Sequence, residues 1–318
     1  MEVLKGMQME RKYDSRKKTM TIHTLNFARL IATFGLCAAT FTTSGAAQDI
    51  PPDYQEVLKT LDKKGDYKGN VLKLNIPRND VKVAIDGIAT PTPFGFGGWL
   101  AMTKGSGGND VMMGDLVLLE DEVNPVMSAL LDNGLEVTAL HNHFFFENPR
   151  IFYMHVHGHG KASDLARKAK PAVDLIGHGS PAHEAAPVSG KSTVTGGQLD
   201  TAKIAQIVGH EGEQSGQVYK ITVGRDDLNI LEMGAKINAR MGLNTWAAFF
   251  GTDANAEIAG DMAMLEREIN PVLKALRAND LNVVAIHNHM TGGRCLSISF
   301  IIGVQGRRKS SRPVSRPR

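Results

Sequence analysis

The chain reads GDLVLLEDEVNPVMSALLDNGLEVTALHNH over residues 114–143 and GDMAMLEREINPVLKALRANDLNVVAIHNH over residues 260–289. Two stretches this alike within 318 residues mark an internal duplication. The offset is 146 here and 147 upstream, where Gly65, Lys73, Arg78, Asp80 and Trp99 pair with Gly212, Lys220, Arg225, Asp227 and Trp246. Both copies therefore have to fold alike, and one copy can be read for both.

VLKLNIPR (71–78) and VYKITVGR (218–225) alternate like strands, and a strand carrying Trp99 or Trp246 leads to a turn at Gly114-Asp115 or Gly260-Asp261. A helix follows, with Asn124 as N-cap and Pro125 at the first helical position, running to about Asn133-Gly134; its counterpart spans Asn270 to about Asn279. EVTALHNH and NVVAIHNH are strands that end on histidines. The first copy continues through RIFYMHVHGHG (150–160), another strand, into a helix from about Ser163 to Lys170. The pattern predicts an α+β fold of two homologous units, each a mainly antiparallel sheet with one or two helices on one face. A pseudo-twofold axis would relate the units, each covering the sheet face that the other leaves bare.

The flanks differ from this body. Residues 1–47 run from a basic stretch (Arg11 to Lys18) through an apolar run (Leu30 to Phe41) to small residues ending at Ala47, the order of a signal peptide with an N-terminal extension. The apolar run is shorter than the roughly 20 residues of a membrane span. Cys37 follows Leu36 rather than a small residue, which argues against a lipid anchor. Export to the periplasm or medium is the expectation, leaving Cys295 as the single cysteine and no intramolecular disulfide. Residues 48–176 form the first unit, 177–197 a linker rich in Gly, Pro, Ser and Thr, and 198–292 a truncated second unit. From 293 to 318 the chain is a basic tail without an acidic residue. Back-translated with permissible codons and read in another frame, that tail gives AMPQHLIHHWGAGPAEKLA, similar to MHVHGHGKASDLA (154–166), so a frameshift near Gly293 is expected. The second sheet would then lack its last strand and expose an edge. Setting both flanks aside turns the formal charge of +3 into −8 for the body, which excludes a nucleic-acid surface.

The paired Glu-x-Asn-Pro helix and His-Asn-His strand, with the Trp99 and Trp246 strands upstream, resemble the LppY/LpqO-type secreted bacterial proteins, a family built on two copies of a domain of unknown function. The resemblance spans roughly residues 50 to 292 and implies export and duplication, but no substrate.

Chemistry rests on the histidines. Alternate residues of a strand share a face, which groups His141 with His143 and His155 with His157 and His159. Facing rows of imidazoles suit a divalent metal, zinc or copper first. Glu122 is positioned by sequence to add an oxygen ligand or to serve as a general base, and His287, His289 and Glu268 form the second set. A hydrogen-bonded polar cluster is the alternative for the histidines, and dipole stabilisation at a helix start is the alternative for both glutamates. Arg78 and Arg225 read as ion-pair partners of Asp80 and Asp227, and Trp99 and Trp246 as core. No Walker sequence, nucleophile elbow or spread nuclease pattern occurs. The leading expectation is an exported protein that binds a metal ion or small polar ligand at the His-Asn-His cluster. The alternatives are a metal-dependent hydrolase with Glu122 as base and an envelope protein with no small-molecule site.

Overall fold

The computed structural model describes residues 48–178, 198–253, 255–288, 298–302 and 306–307, the last two stretches by backbone alone. The first unit runs α1 (Pro52–Leu61), β1 (Gly65–Lys68), β2 (Val71–Pro77), β3 (Val83–Ile85), β4 (Ile88–Thr90), β5 (Gly97–Lys104), β6 (Asp110–Leu119), α2 (Glu120–Asp132), β7 (Glu136–His141), β8 (Glu147–Asn148), β9 (Ile151–Gly160) and α3 (Ala162–Leu175). The second runs α4 (Thr201–Val208), β10 (Glu213–Ser215), β11 (Val218–Gly224), β12 (Leu231–Glu232), β13 (Ala235–Lys236), β14 (Asn244–Thr252), β15 (Asn255–Leu265), α5 (Glu266–Ala278), β16 (Ala285–Asn288), β17 (Ile298–Ile302) and β18 (Gly306–Arg307). The main sheets have the orders β1-β2-β5-β6-β9-β7 and β10-β11-β14-β15-β17-β16, so the two copies share one topology, and β18 pairs with β15. The fold is α+β with antiparallel sheets, built from two homologous units.

Strand alternation divides the first sheet into two faces. Leu72, Leu74, Leu100, Met102, Met112, Leu116 and Met154 pack against Tyr54 and Val57 of α1, Val126 and Leu130 of α2, and Leu165 and Ala169 of α3. The opposite face carries Val71, Ala101, Val111 and Met113, and these meet Ile230, Ile237, Met241 and Ala263 of the second copy. Phe94, Phe96, Val117 and Tyr153 likewise meet Val218, Ala248 and Phe250. Each such side chain removed from water contributes about 1.5–3 kcal/mol, so the contact between copies is a core in its own right.

Three expectations change. Gly114-Asp115 is no turn: it lies mid-way along β6, which is buried on both faces and so shows no alternation to read. A Cβ at Gly114 would stand 2.3 Å from Leu100 Cδ2 and 2.9 Å from the Trp99 carbonyl, which accounts for the glycine by close approach of β5. The helices start earlier than Asn124 and Asn270: α2 begins at Glu120 and α5 at Glu266, with Pro125 and Pro271 inside them. The first turn is secured instead by Glu122, which accepts the Leu119 N–H at 2.7 Å, and by Glu268, which accepts that of Leu265 at 2.9 Å. Helix α3 passes through Pro171 to Leu175, because its buried stripe of Leu165, Ala169, Ala172 and Val173 continues beyond the proline.

The second sheet also keeps a last strand. Within the basic tail, β17 lies between β15 and β16, and Ile302 pairs with both Asp261 and Ala285. His155 occupies the same place in the first sheet, opposite Asp115 and Ala139. Most of residues 1–47, 179–197 and 289–318, and with them the leader, the linker and His289, lie outside the described residues.

Gly114→Ala is expected to lower stability by about 1–3 kcal/mol, the usual cost of overpacking, in a urea titration. Gly97→Ala, where an added Cβ meets nothing within 4 Å, should leave the midpoint in place.

Candidate metal centre

Asp115 of β6, His155 of β9 and Ala139 of β7 lie in one lateral row, with Tyr153 and His141 in the next. A bulge between Val137 and Ala139 shifts the register of β7 just before the histidine. His141 and His155 thus approach diagonally, Nε2 to Nε2 at 3.1 Å, with their rings nearly perpendicular at 89°. The third imidazole comes from the other copy. His287 of β16, the counterpart of His141, stacks on it at 4.0 Å between centroids and 21° between planes. A residue meeting its own counterpart is what a twofold relation between the copies requires.

One ligand nitrogen from each of His141, His155 and His287 lies within 4.8 Å of the others. Tetrahedral zinc with Zn–N of about 2.0–2.1 Å separates its nitrogens by about 3.3 Å, so one contact already has a metal-site spacing and the third ring has a short distance to close. His141 is 8% and His155 1% exposed. Burial lowers the pKa of His287 to about 4, which keeps it in the neutral form that binds metals. Asp115 adds an oxygen that sequence reasoning missed: its Oδ1 stands 3.7 Å from His155 Nε2. Burial raises its pKa to about 8, and the charges of Lys73 and Lys220 only partly offset this. The signal was the Gly-Asp pair repeated at the duplication offset, hidden by the glycine's resemblance to a turn.

The other expected residues go elsewhere. Strand β7 ends at His141, and Asn142 donates its side-chain amide to the Ile151 carbonyl at 2.7 Å, so His143 leaves the alternation of the strand. Its ring stacks on Tyr153 at 3.4 Å between centroids. Burial, then the charges of His141, His287 and Lys220, hold its pKa well below the usual histidine range. His157 sits between two acids, Nδ1 at 3.4 Å from Glu136 and Nε2 at 3.7 Å from Glu232, while His159 is exposed.

Glu122 is neither a ligand nor a base here, because its lone pairs are occupied. Arg78 donates to Oε2 at 2.5 Å and to Oε1 at 3.1 Å, and the N–H groups of Leu119 and Gly177 complete the set. Arg78 also binds Asp80 at 2.7 Å and the Val117 carbonyl at 2.8 Å. The second copy repeats this with Arg225, Asp227, Glu268 and the Ala263 carbonyl. The Arg225 hydrogen bond lowers the pKa of Glu268. The stabilisation from that group is therefore present above the ordinary carboxylate pKa and is lost as pH falls through the lowered value.

Between the facing sheets a cavity of about 760 Å³ reaches His143 and Tyr153 and is walled by Lys73, Trp99 and Asp115 and their counterparts Lys220, Trp246 and Asp261. The tryptophans, expected as core, pack on it with one side and line this space with the other. Burial lowers the pKa of both Lys73 and Lys220 to about 8.

A family model described as Domain of Unknown Function (DUF1259) matches residues 55–175 and 202–294. The chain belongs to this family. Its two matches coincide with the two copies, and the DUF1259 domain is thus the repeating unit of the duplication. No curated protein and no solved structure matches the chain significantly. Among the described residues, no helix of this DUF1259 protein is long and apolar enough to cross a membrane.

Glu122→Gln is expected to cost about 3 kcal/mol, since it leaves a buried arginine short of a partner. Glu268→Gln, at a pair whose glutamate side chain is 31% exposed, should stay within about 1 kcal/mol. Paired urea midpoints measure both.

Proposed function

We propose that this protein binds one divalent transition metal, zinc or copper, through His141, His155 and His287, with Asp115 beside them. The observation that carries the reading is the convergence of three imidazoles from two copies, two of them buried and His287 half-buried, on a space of atomic size. Neutral imidazoles select zinc, copper or nickel over magnesium or calcium, which prefer oxygen. A bound ion supplies Lewis acidity and a fixed positive charge at the cavity wall. The chain's own residues prepare the place: the β7 bulge aims His141, Tyr153 backs the imidazoles, and Asp115 sets a carboxyl oxygen beside His155.

The order of basic, apolar and small residues over 1–47 supports an exported protein of the LppY/LpqO type, in the periplasm or the medium, where the ion would be met.

Elemental analysis of protein purified without chelator is expected to find about one equivalent of metal. His141→Ala, His155→Ala and His287→Ala should each abolish retention, whereas His157→Ala and Glu122→Gln should keep it. Wild type that stays metal-free after incubation with zinc and with copper, or metal retained in all three histidine variants, would refute the reading.

A further inference from the structure

The cavity between the sheets holds polar groups that, Asp115 apart, the metal reading leaves unused. In the first copy Asn75, Trp99 and Asp115 form one lateral row of neighbouring strands, and Lys73 stands two residues from Asn75 on the same face. The second copy repeats the row as Thr222, Trp246 and Asp261, with Lys220 alongside. Lys73 Nζ lies 4.4 Å over the Trp99 ring and Lys220 Nζ 3.9 Å over Trp246. Neither ammonium has a hydrogen-bond or ion-pair partner among the described residues. Asp115 and Asp261 each keep a buried Oδ1 that accepts no hydrogen bond. A buried polar atom left in this state costs about 1–3 kcal/mol, and here the arrangement occurs twice at equivalent positions.

We propose that this cavity binds a neutral saccharide. Each copy offers an unfilled donor and an unfilled acceptor on either side of an indole. The hydroxyl is the group that donates and accepts at once, and a pyranose carries several of them around a ring whose C–H face suits an aromatic wall. Burial disfavours the charged form of Lys220 and of Asp261 alike, so the ligand needs no charge of its own. Asn75, Thr222 and Asn244 add further neutral partners on the wall. A volume of about 760 Å³ falls in the range of small-molecule sites. The inference does not depend on the metal, since Lys220, Trp246 and Asp261 lie in the sheet that has Ile302 at the register position of His155.

The chain has two tryptophans and both line the cavity, so intrinsic emission reports on it directly. The purified protein would be titrated with glucose, galactose, N-acetylglucosamine, maltose and cellobiose, and in parallel with succinate and inorganic phosphate, by fluorescence and calorimetry. At least one saccharide is expected to bind saturably with Kd of about 1 mM or tighter. Asp261→Asn and Lys220→Met should each weaken that binding about tenfold. Their thermal midpoints should hold, because neither Lys220 Nζ nor Asp261 Oδ1 has a hydrogen bond to lose among the described residues. No saccharide binding, binding of the anions alone, or unchanged affinity in both variants would overturn the proposal. Metal content measured on the same samples separates the two readings. Wild type that retains metal but binds no saccharide counts against the cavity alone, and wild type that binds a saccharide but stays metal-free counts against the metal centre alone.

Discussion

Each main sheet has two faces to keep from water, and the helices cover one of them. The other is closed by the second copy of the same sheet, and most of the architecture follows from that constraint. Val71, Met113 and Val117 have no helix above them, and their partners are Ile237, Met241, Val218 and Ala248 across the interface. Both copies bury this face or neither does. The same packing brings polar side chains of both copies together, because Lys73, Asp115 and His155 share that face with the apolar residues. The histidine group and the cavity are thus both products of the interface rather than of either copy.

A second constraint fixes where the histidine strand begins. The guanidinium of Arg78, just after β2, holds Asp80, the Val117 carbonyl at the end of β6 and Glu122 in the first turn of α2. Glu122 in turn takes the N–H of Gly177, just past α3. One buried ion pair therefore joins the exits of three elements, and α2 leads directly into β7 and His141. Replacing Arg78 leaves Glu122 buried without its cation, and replacing Glu122 leaves Arg78 with Asp80 as its remaining acid. The pair is a positioning device for the centre and no part of its chemistry.

The duplication, the antiparallel units and the facing of His141 and His155 were legible because identities at a fixed offset and alternation along strands are written locally in the sequence, whereas the joining of His287 to them depends on how the copies pack. What was not legible depended on burial. In β6, apolar on both faces, Gly114 signals close packing in a place where alternation gave no warning, and so Asp115 was read as a turn residue. Pro125 looked like a helix start because its missing N–H is free of cost there; the observed start is set by a side chain three residues earlier. Glu122 looked available because a single chain cannot show that Arg78, 44 residues away, occupies it. The departure of His143 from the strand's alternation came with a single side-chain hydrogen bond by Asn142, below the reach of any periodicity.

The relation between the copies bears on how a guest would sit. A twofold cavity offers the same groups to a molecule and to that molecule turned end for end, so an asymmetric guest would have two equivalent poses. The register of the second sheet puts Ile302 where the first has His155, opposite Asp261 as His155 is opposite Asp115. The lining itself already breaks the degeneracy, because Asn75 on one side answers to Thr222 on the other, and a guest with unlike ends meets different groups in its two poses.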